Sequence, residues 1–364
     1  MRLLMTTDTV GGVWTFTREL AAGLIDRGCE ITLVSVGKPP SSEQLSHIKP
    51  LIATGRLTYA VATAALEWMP ENSNAYSAVE PLLLELCRGQ RPDALLLSQF
   101  CFGALPVDVL KIVIAHSDVL SWADAVGKAP LPPDAWLSTY LALVQRGLSG
   151  AHAVIAPSAA ALRSTASHYR LLEDTAVVHN GRSLPAAVSF EGSRSLRAVT
   201  AGRMWDPAKH LDLLTEVNSP IPLLVAGEQD ASAAVAGSIT MLGHQGEAQL
   251  LELFHQSAIY ICCSRYEPFG LAPLEAALCG CALLVNDLPS LREVWGDAAL
   301  YFTDASALEE LLCQLAADPT RLSDAQQAAR QRAGHFTRER MVDAYLAAIA
   351  RCTDKRTRTE CHAA

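Results

Sequence analysis

The chain is short of several things, and each shortage excludes something. Charged residues make up only 18% of its 364 residues, too few for a chain kept unfolded by its own charge. Positive charge is in the minority, with 29 Lys and Arg against 38 Asp and Glu and a formal net charge of −9. Sequence-independent nucleic-acid binding needs a basic surface, so nucleic acid is not an expected partner. The same balance argues against a protein held on anionic lipid by its overall charge. No run of about twenty apolar residues lacks charge, so no integral membrane segment is expected. The start, Met1-Arg2-Leu3-Leu4-Met5-Thr6-Thr7-Asp8, has too short an apolar run for a signal peptide and reads as a strand. There are ten cysteines but no CxxC pair and no regular spacing. Most lie in apolar runs, such as Cys262-Cys263 after Ile259-Tyr260-Ile261. This pattern speaks against a disulfide scaffold or zinc site and for reduced, buried thiols in a cytoplasmic protein.

Half of the residues are hydrophobic, enough for a sizeable core, and the length suggests about two domains. Short apolar runs alternate with segments of helical period. In the first half the expected strands are Arg2–Thr6, Ile31–Val36, Ala94–Leu97, Ile112–Ala115 and Ala153–Ala156, with helices at Val13–Arg27, Asp134–Leu148 and Ala159–Tyr169. The second half restarts the pattern with strands Ala198–Ala201, Pro222–Ala226, Ile239–Leu242, Ile259–Cys262 and Ala282–Val285. Helices are expected near Leu211–Val217, Glu247–Gln256, Leu271–Leu278, Leu308–Ala316 and Leu322–Ala333. Such alternation implies parallel sheets with crossover helices. The expected fold class is α/β, with two doubly wound Rossmann-like domains facing across a cleft. The break falls in the turn-rich stretch Leu184–Ser195. This gives a first domain over 1–185, a second over 196–337, an amphipathic helix over 338–351 and a polar, disordered tail over 352–364.

Ligands of such domains sit beyond the carboxyl ends of the strands, and three places there carry chemistry. Gly11-Gly12 follows the first strand and opens a helix, where bare backbone lets N–H groups approach an anion; a purely structural turn reads equally well. Gly202-Arg203 ends the first strand of the second half, and Lys209 follows. A planar fork and a point charge suit a diphosphate, although either cation taken alone reads as a solvated surface residue. The strongest signal is the segment Ser264-Arg265-Tyr266-Glu267-Pro268-Phe269-Gly270-Leu271-Ala272-Pro273-Leu274-Glu275-Ala276, which leaves an apolar strand and enters a helix. Gly270 and Leu271 would present N–H groups at the helix start. Glu267 and Glu275 flank the turn, and a carboxylate can accept hydrogen bonds from neighbouring sugar hydroxyls.

Glu267 and Glu275 are similar to the E-x7-E pair of the large retaining glycosyltransferase family 4, of GT-B fold (glycosyl transferases group 1). Gly11-Gly12, His116, Asn180-Gly181, Gly202-Arg203, Lys209, Ala226-Gly227-Glu228, Leu291-Arg292-Glu293 and Ala298-Ala299-Leu300-Tyr301-Phe302 extend the resemblance over residues 2–350. It is specific in the second half and looser in the first. The resemblance implies that Arg203 and Lys209 hold the donor's diphosphate and stabilise it as leaving group. Glu275 would bind the ribose and Glu267 the hydroxyls of the donor sugar. Gly11 and Gly12 would approach the phosphates or the forming bond, and Gly202, Phe269, Gly270 and Leu271 would line the donor. His116, otherwise an ordinary half-buried histidine, would touch the transferred sugar. The loop at Leu242-Gly243-His244 would meet the nucleobase, and the helix Arg338–Arg351 would cross back onto the first domain.

Two departures stand out. His210 occupies a place where the family commonly has glycine, and His116-Ser117-Asp118 replaces an adjacent His-Asp pair, which makes Asp118 a loop cap. No Asp-x-Asp is present, so no metal and no cofactor are expected, with the two cations in a metal's place. The implied reaction moves a hexose from a nucleotide diphosphate sugar, UDP-sugar by family frequency, to an acceptor hydroxyl by a front-face, retaining route. The alternatives are a GT-B nucleotide-sugar epimerase and a non-catalytic nucleotide-sugar-binding subunit. The acceptor is not legible. Trp14, Trp122, Trp136 and the loop Gly127–Pro133 offer it aromatic faces, or they belong to the core.

Overall fold

The structure is a computed structural model, and it describes residues 1–172, 174–184, 194–228 and 239–363. The chain forms two compact units. The first comprises Met1–Ala123, Lys128–Gly181 and the segment from Arg338 onward; the second comprises Asp124–Gly127 and Arg182–Thr337. The long stretch of the second unit therefore starts at Arg182, ahead of the Leu184–Ser195 break read from the sequence. Residues 185–193 of that stretch lie outside the described residues.

The first unit opens with β1 (Arg2–Asp8), α1 (Gly12–Asp26), β2 (Glu30–Val36), α2 (Ser42–Ala53), β3 (Leu57–Ala62), α3 (Glu80–Gln90) and β4 (Ala94–Leu97). It continues with β5 (Leu110–Ile114), α4 (Val119–Ala125), α5 (Ala135–Gly150), β6 (Ala153–Ala156), α6 (Ala159–His168) and β7 (Thr175–Val177). Among the described residues its sheet has seven strands, in the order β3-β2-β1-β4-β5-β6-β7. All pairings are parallel, and Leu3–Thr6 lie beside Ala94–Leu97. The central strands are mostly Leu, Ile, Val and Ala buried on both faces, as a helix-covered parallel sheet requires, and the one cation among them, Lys111 of β5, donates from Nζ to Leu105 O at 2.8 Å. The outer strands β3 and β7 are half exposed, so neither presents the continuous apolar run by which the others are read. α2 starts at a capping box, with Ser41 Oγ accepting from Gln44 N (3.1 Å) and Gln44 Oε1 accepting from Ser41 N (2.9 Å). α5 packs so closely on residues 100–104 that a Cβ on Gly147 would run into the Phe100 carbonyl.

The second unit contains β8 (Ser195–Ala201), α7 (Leu211–Thr215), β9 (Leu223–Ala226), β10 (Ile239–Gly243), α8 (Glu247–His255), β11 (Ser257–Cys262) and α9 (Leu271–Leu278). It ends with β12 (Ala282–Asn286), α10 (Pro289–Trp295), β13 (Leu300–Phe302), α11 (Ala305–Ala317) and α12 (Pro319–Ala333). Among the described residues its sheet is six-stranded and parallel, in the order β10-β9-β8-β11-β12-β13. Two cores form on it, one around Leu274, Leu283 and Trp295 and the other around Leu214, Ile261 and Leu312.

α13 (Arg338–Ala363) belongs to the first unit. It lays Tyr345 beside Phe16 of α1, with ring centroids 5.9 Å apart. The helix does not stop at Arg351 and give way to a disordered tail. Its polar continuation stays helical through Ala363, and ion pairs of Lys355 with Asp174 and of Arg356 with Asp108 hold it to the first unit where apolar contacts run out.

Candidate active site

In a doubly wound sheet the loops at the carboxyl ends of the strands diverge where the strand order reverses, and a ligand site opens there. In the second unit the reversal lies between β8 and β11. Gly202 and Arg203 follow β8, Gly227 and Glu228 follow β9, and Ser264 and Glu267 follow β11. Backbone bonds tie these loops together. Gly202 N donates to Ala226 O (3.0 Å), Gly227 N to Gly243 O (2.8 Å), and Arg265 N to Ala208 O (2.8 Å).

Lys209 ends a short 3-10 turn capped by Asp206, whose Oδ1 accepts from Ala208 N at 2.9 Å. Lys209 Nζ lies 2.7 Å from Glu267 Oε2 and 3.4 Å from Ser264 Oγ. The two charged side chains are only 22% and 15% exposed, so each is a strong influence on the other. Burial alone would lower the Lys209 pKa, but the Glu267 carboxylate outweighs it and holds the ammonium above its ordinary value. Glu267 is fixed at its backbone as well, since Ser290 Oγ donates to its carbonyl at 2.6 Å. Arg203 is half-buried. Its Nη2 sits 3.1 Å from Asp206 Oδ2 and its Cζ lies 5.4 Å from the ring of the exposed Trp205.

His210 adopts φ 52°, a left-handed backbone that costs a side-chain-bearing residue and explains glycine as the ordinary occupant. Its Nε2 lies 2.6 Å from Arg265 Nη2. Burial and that guanidinium both lower its pKa, so the neutral imidazole accepts from the arginine.

Gly270 precedes α9, and Leu271 is the first residue of that helix. Phe269 is buried edge-on against Phe336, with centroids 5.6 Å apart. Glu275 is buried on α9, and its Oε1 accepts from Arg182 Nε at 2.7 Å. Arg182 Nη2 reaches Glu247 Oε1, also at 2.7 Å. Neither Arg182 nor Glu247 is singled out by the sequence reading; the clue available was a charged residue directly after Asn180-Gly181. Leu242 and the exposed His244 stand at the end of β10, where Gln245 Nε2 donates to Leu242 O (2.8 Å).

In the first unit the strand order reverses between β1 and β4. Gly11 and Gly12 follow β1, behind Asp8, whose Oδ1 accepts from Val10 N at 2.8 Å. His116 follows β5. Its Nε2 is 3.2 Å from Ser98 Oγ, and it meets Phe16 edge-on, with centroids 4.6 Å apart. Burial lowers its pKa from 6.5 to about 4, so at neutral pH it is an uncharged hydrogen-bonding group. Asp118 is a buried cap, accepting from Ser121 N (2.8 Å), Ser121 Oγ (2.7 Å) and Thr165 Oγ1 (3.1 Å). Trp14 is buried, and Trp136 is anchored by its Nε1 to Met69 O at 2.8 Å. Trp122 lies beside Lys128, whose Nζ is 5.2 Å from its ring.

Among the described residues no group of three or more His, Cys, Asp or Glu is placed to hold a metal ion. Among them, too, no helix is long and apolar enough to cross a membrane.

Residues 10–184 match the family described as Glycosyltransferase Family 4, and residues 208–332 match Glycosyl transferases group 1. Alpha-maltose-1-phosphate synthase of Mycobacterium tuberculosis is 31% identical over 107 residues, a stretch covering 27% of this chain and 26% of that protein. The chain therefore spans about a quarter of the length of that relative. Two solved structures share the fold along nearly the whole chain. Sucrose-phosphate synthase from Thermosynechococcus elongatus has a TM-score of 0.68 at 15% identity, covering 100% of both chains. The Anabaena protein HepE, solved in complex with UDP and glucose, has a TM-score of 0.70 at 16% identity, covering 96% of this chain and 99% of its own. With both matches lying along its two parallel-sheet units, the chain is a glycosyltransferase-family protein of GT-B fold, a Family 4 domain followed by a group 1 domain.

Proposed function

We propose that the protein transfers a hexosyl group from a nucleoside diphosphate sugar to an acceptor hydroxyl, with retention at the anomeric carbon and without a metal ion. The observation that carries this reading is the pairing of Lys209 with Glu267, beside Arg203, at the strand-order reversal of the second sheet. Two fixed cations and a sugar-competent carboxylate on one sheet edge suit a leaving diphosphate and the hexose attached to it.

In this reading the bond from the anomeric carbon to the diphosphate oxygen breaks first, and negative charge grows on the diphosphate. Arg203 and Lys209 stabilise that charge. Glu267 orients the sugar through its hydroxyls and Glu275 holds the ribose. The acceptor oxygen then bonds to the anomeric carbon on the face just vacated, and its proton passes to the departing phosphate oxygen. No carboxylate acts as a covalent nucleophile. As the family resemblance implies, Gly11 and Gly12 approach the phosphates or the forming bond and His116 touches the transferred sugar. A uridine donor is supported by the UDP and glucose bound in HepE. A cytoplasmic setting is supported by Cys262, Cys263, Cys279 and Cys281, buried thiols without a disulfide.

The test is turnover of UDP-, GDP- and ADP-hexoses with a panel of sugar, glycan and lipid-linked acceptors, the product's anomeric configuration being read by NMR. Retained configuration in a glycoside product supports the proposal. Epimerised donor without transfer would identify an epimerase, and nucleotide binding without any turnover a non-catalytic subunit. Inversion would overturn the retaining step.

A further inference from the structure

We propose that Arg182 is a positioning residue that sets Glu275 and Glu247 for the nucleoside end of the donor, an inference that rests on the reading above. Its guanidinium is sealed from solvent, with its side chain 1% exposed, while Glu275 and Glu247 are 12% and 20% exposed. The cation thus stands behind and the two carboxylates stand in front of it.

The geometry is that of a clamp. Arg182 donates from Nε to Glu275 Oε1 and from Nη2 to Glu247 Oε1, both at 2.7 Å, and from Nη1 to Ser183 O at 3.2 Å. A guanidinium is planar and rigid, so its two forks fix the spacing and tilt of the two carboxylates together. The arginine is itself anchored, with its backbone N–H bonded to Phe336 O (3.0 Å) and Phe336 packed on Phe269, within the Glu267–Glu275 segment. Glu275 belongs to that segment. Glu247 opens α8 directly behind the loop of Leu242 and His244. Arg182 therefore ties the carboxylate assigned to the ribose to the loop assigned to the base. Without the cation the two carboxylates would repel across a poorly solvated gap, and each would move.

A purely structural ion pair would support the fold without favouring one part of the ligand. The test separates these cases with two probes, a nucleoside monophosphate and inorganic pyrophosphate, which sample the two ends of the donor. Binding of UMP, GMP, AMP and pyrophosphate is measured by calorimetry on the full chain, for wild type, Arg182→Lys and Arg182→Gln. The expected result is a loss of about tenfold or more in affinity for the monophosphate that wild type prefers, on the scale of one charged hydrogen bond. Pyrophosphate affinity should stay within about threefold, and in turnover the donor KM should rise more than kcat falls. Lys keeps the charge without the fork, so it should restore only part of the loss.

Equal monophosphate affinity in wild type and both variants would overturn the proposal while leaving the glycosyl-transfer reading intact. Parallel loss of both probes would overturn it as well, in favour of general structural damage. Failure of wild type to bind any nucleotide would overturn both readings. If the Arg182 variants do not fold, Glu247→Gln takes their place. It loosens one arm of the clamp and should weaken monophosphate binding selectively; unchanged affinity there would sink the clamp.

Discussion

Lys209 Nζ and Glu267 Oε2 lie 2.7 Å apart in a part-buried pair. The cation that the proposed reaction aims at the diphosphate is therefore already partnered by the carboxylate aimed at the sugar. Binding of the donor must divide that pair's attraction. Glu267→Gln should bind free nucleoside diphosphate more tightly than wild type, by a few-fold, because the ammonium loses its competitor. Turnover should fall by about 10² in the same variant, on the scale of one lost transition-state contact. Calorimetry with UDP and steady-state kcat check the two halves; weaker UDP binding would contradict the competition.

Lys209→Met removes the counter-charge and leaves the part-buried Glu267 carboxylate with only the Ser264 Oγ hydrogen bond (3.2 Å) on its Oε2. The expected cost is about 1–3 kcal/mol of stability, read as a lower urea midpoint. Adding Glu267→Gln should return most of that stability without returning activity. Such a split separates the pair's contribution to folding from its contribution to turnover.

His116 carries a definite acid dependence. Its folded pKa of about 4 lies below the unfolded value of 6.5. Between those values the unfolded chain takes up the proton and the folded chain resists it, so acid favours unfolding. The neutral ring's contribution is complete above 6.5 and declines as pH falls through that window. Wild type should thus lose more stability between pH 6.5 and 4.5 than His116→Gln, by urea midpoints at several pH values. The rate profile should show no limb near neutrality from this ring.

Gly227 combines a backbone of φ 144° with a Cβ direction that points into the Gly202 carbonyl. Gly227→Ala must push apart the loops after β8 and β9, which carry Arg203 and Glu228. Stability should drop by more than about 2 kcal/mol, because the carbonyl clash adds to the roughly 1–3 kcal/mol that a sparsely populated positive-φ backbone costs a residue with a side chain. Donor binding should weaken with it. Normal donor affinity in a destabilised Gly227→Ala would show that the loop junction serves the fold alone.

Exhaustive dialysis against EDTA should leave turnover and nucleotide affinity unchanged, since Arg203 and Lys209 are proposed to supply the charge a divalent ion would bring. Loss of activity restored by magnesium or manganese would overturn the metal-independent route.

The central strands were legible because burial on both faces leaves an unbroken apolar run, and Ala94–Leu97 and Ala153–Ala156 match to the residue. β3 and β7 were not, because an edge strand needs no such run: Thr58 and Val61 of β3 are exposed. α2 escaped for a related reason, with Ile48 its one buried residue. At the site, Lys209, Glu267 and Glu275 stand out by local spacing, whereas Arg182 gains its meaning only from Glu275 and Glu247, far along the chain. Long-range ion pairs leave no period in a sequence. The same blindness hid the extension of α13, whose Lys355 and Arg356 find their acidic partners at Asp174 and Asp108.

The return of α13 to the first unit has a bearing on synthesis. A ribosome delivers the first sheet early, yet the helix that packs Tyr345 beside Phe16 of α1 emerges only after the whole span Arg182–Thr337 has been made. The nascent first unit must wait with that flank of α1 bare, while the second unit can close as nearly one continuous piece. Cutting the gene between the units would strand α13 on the wrong fragment.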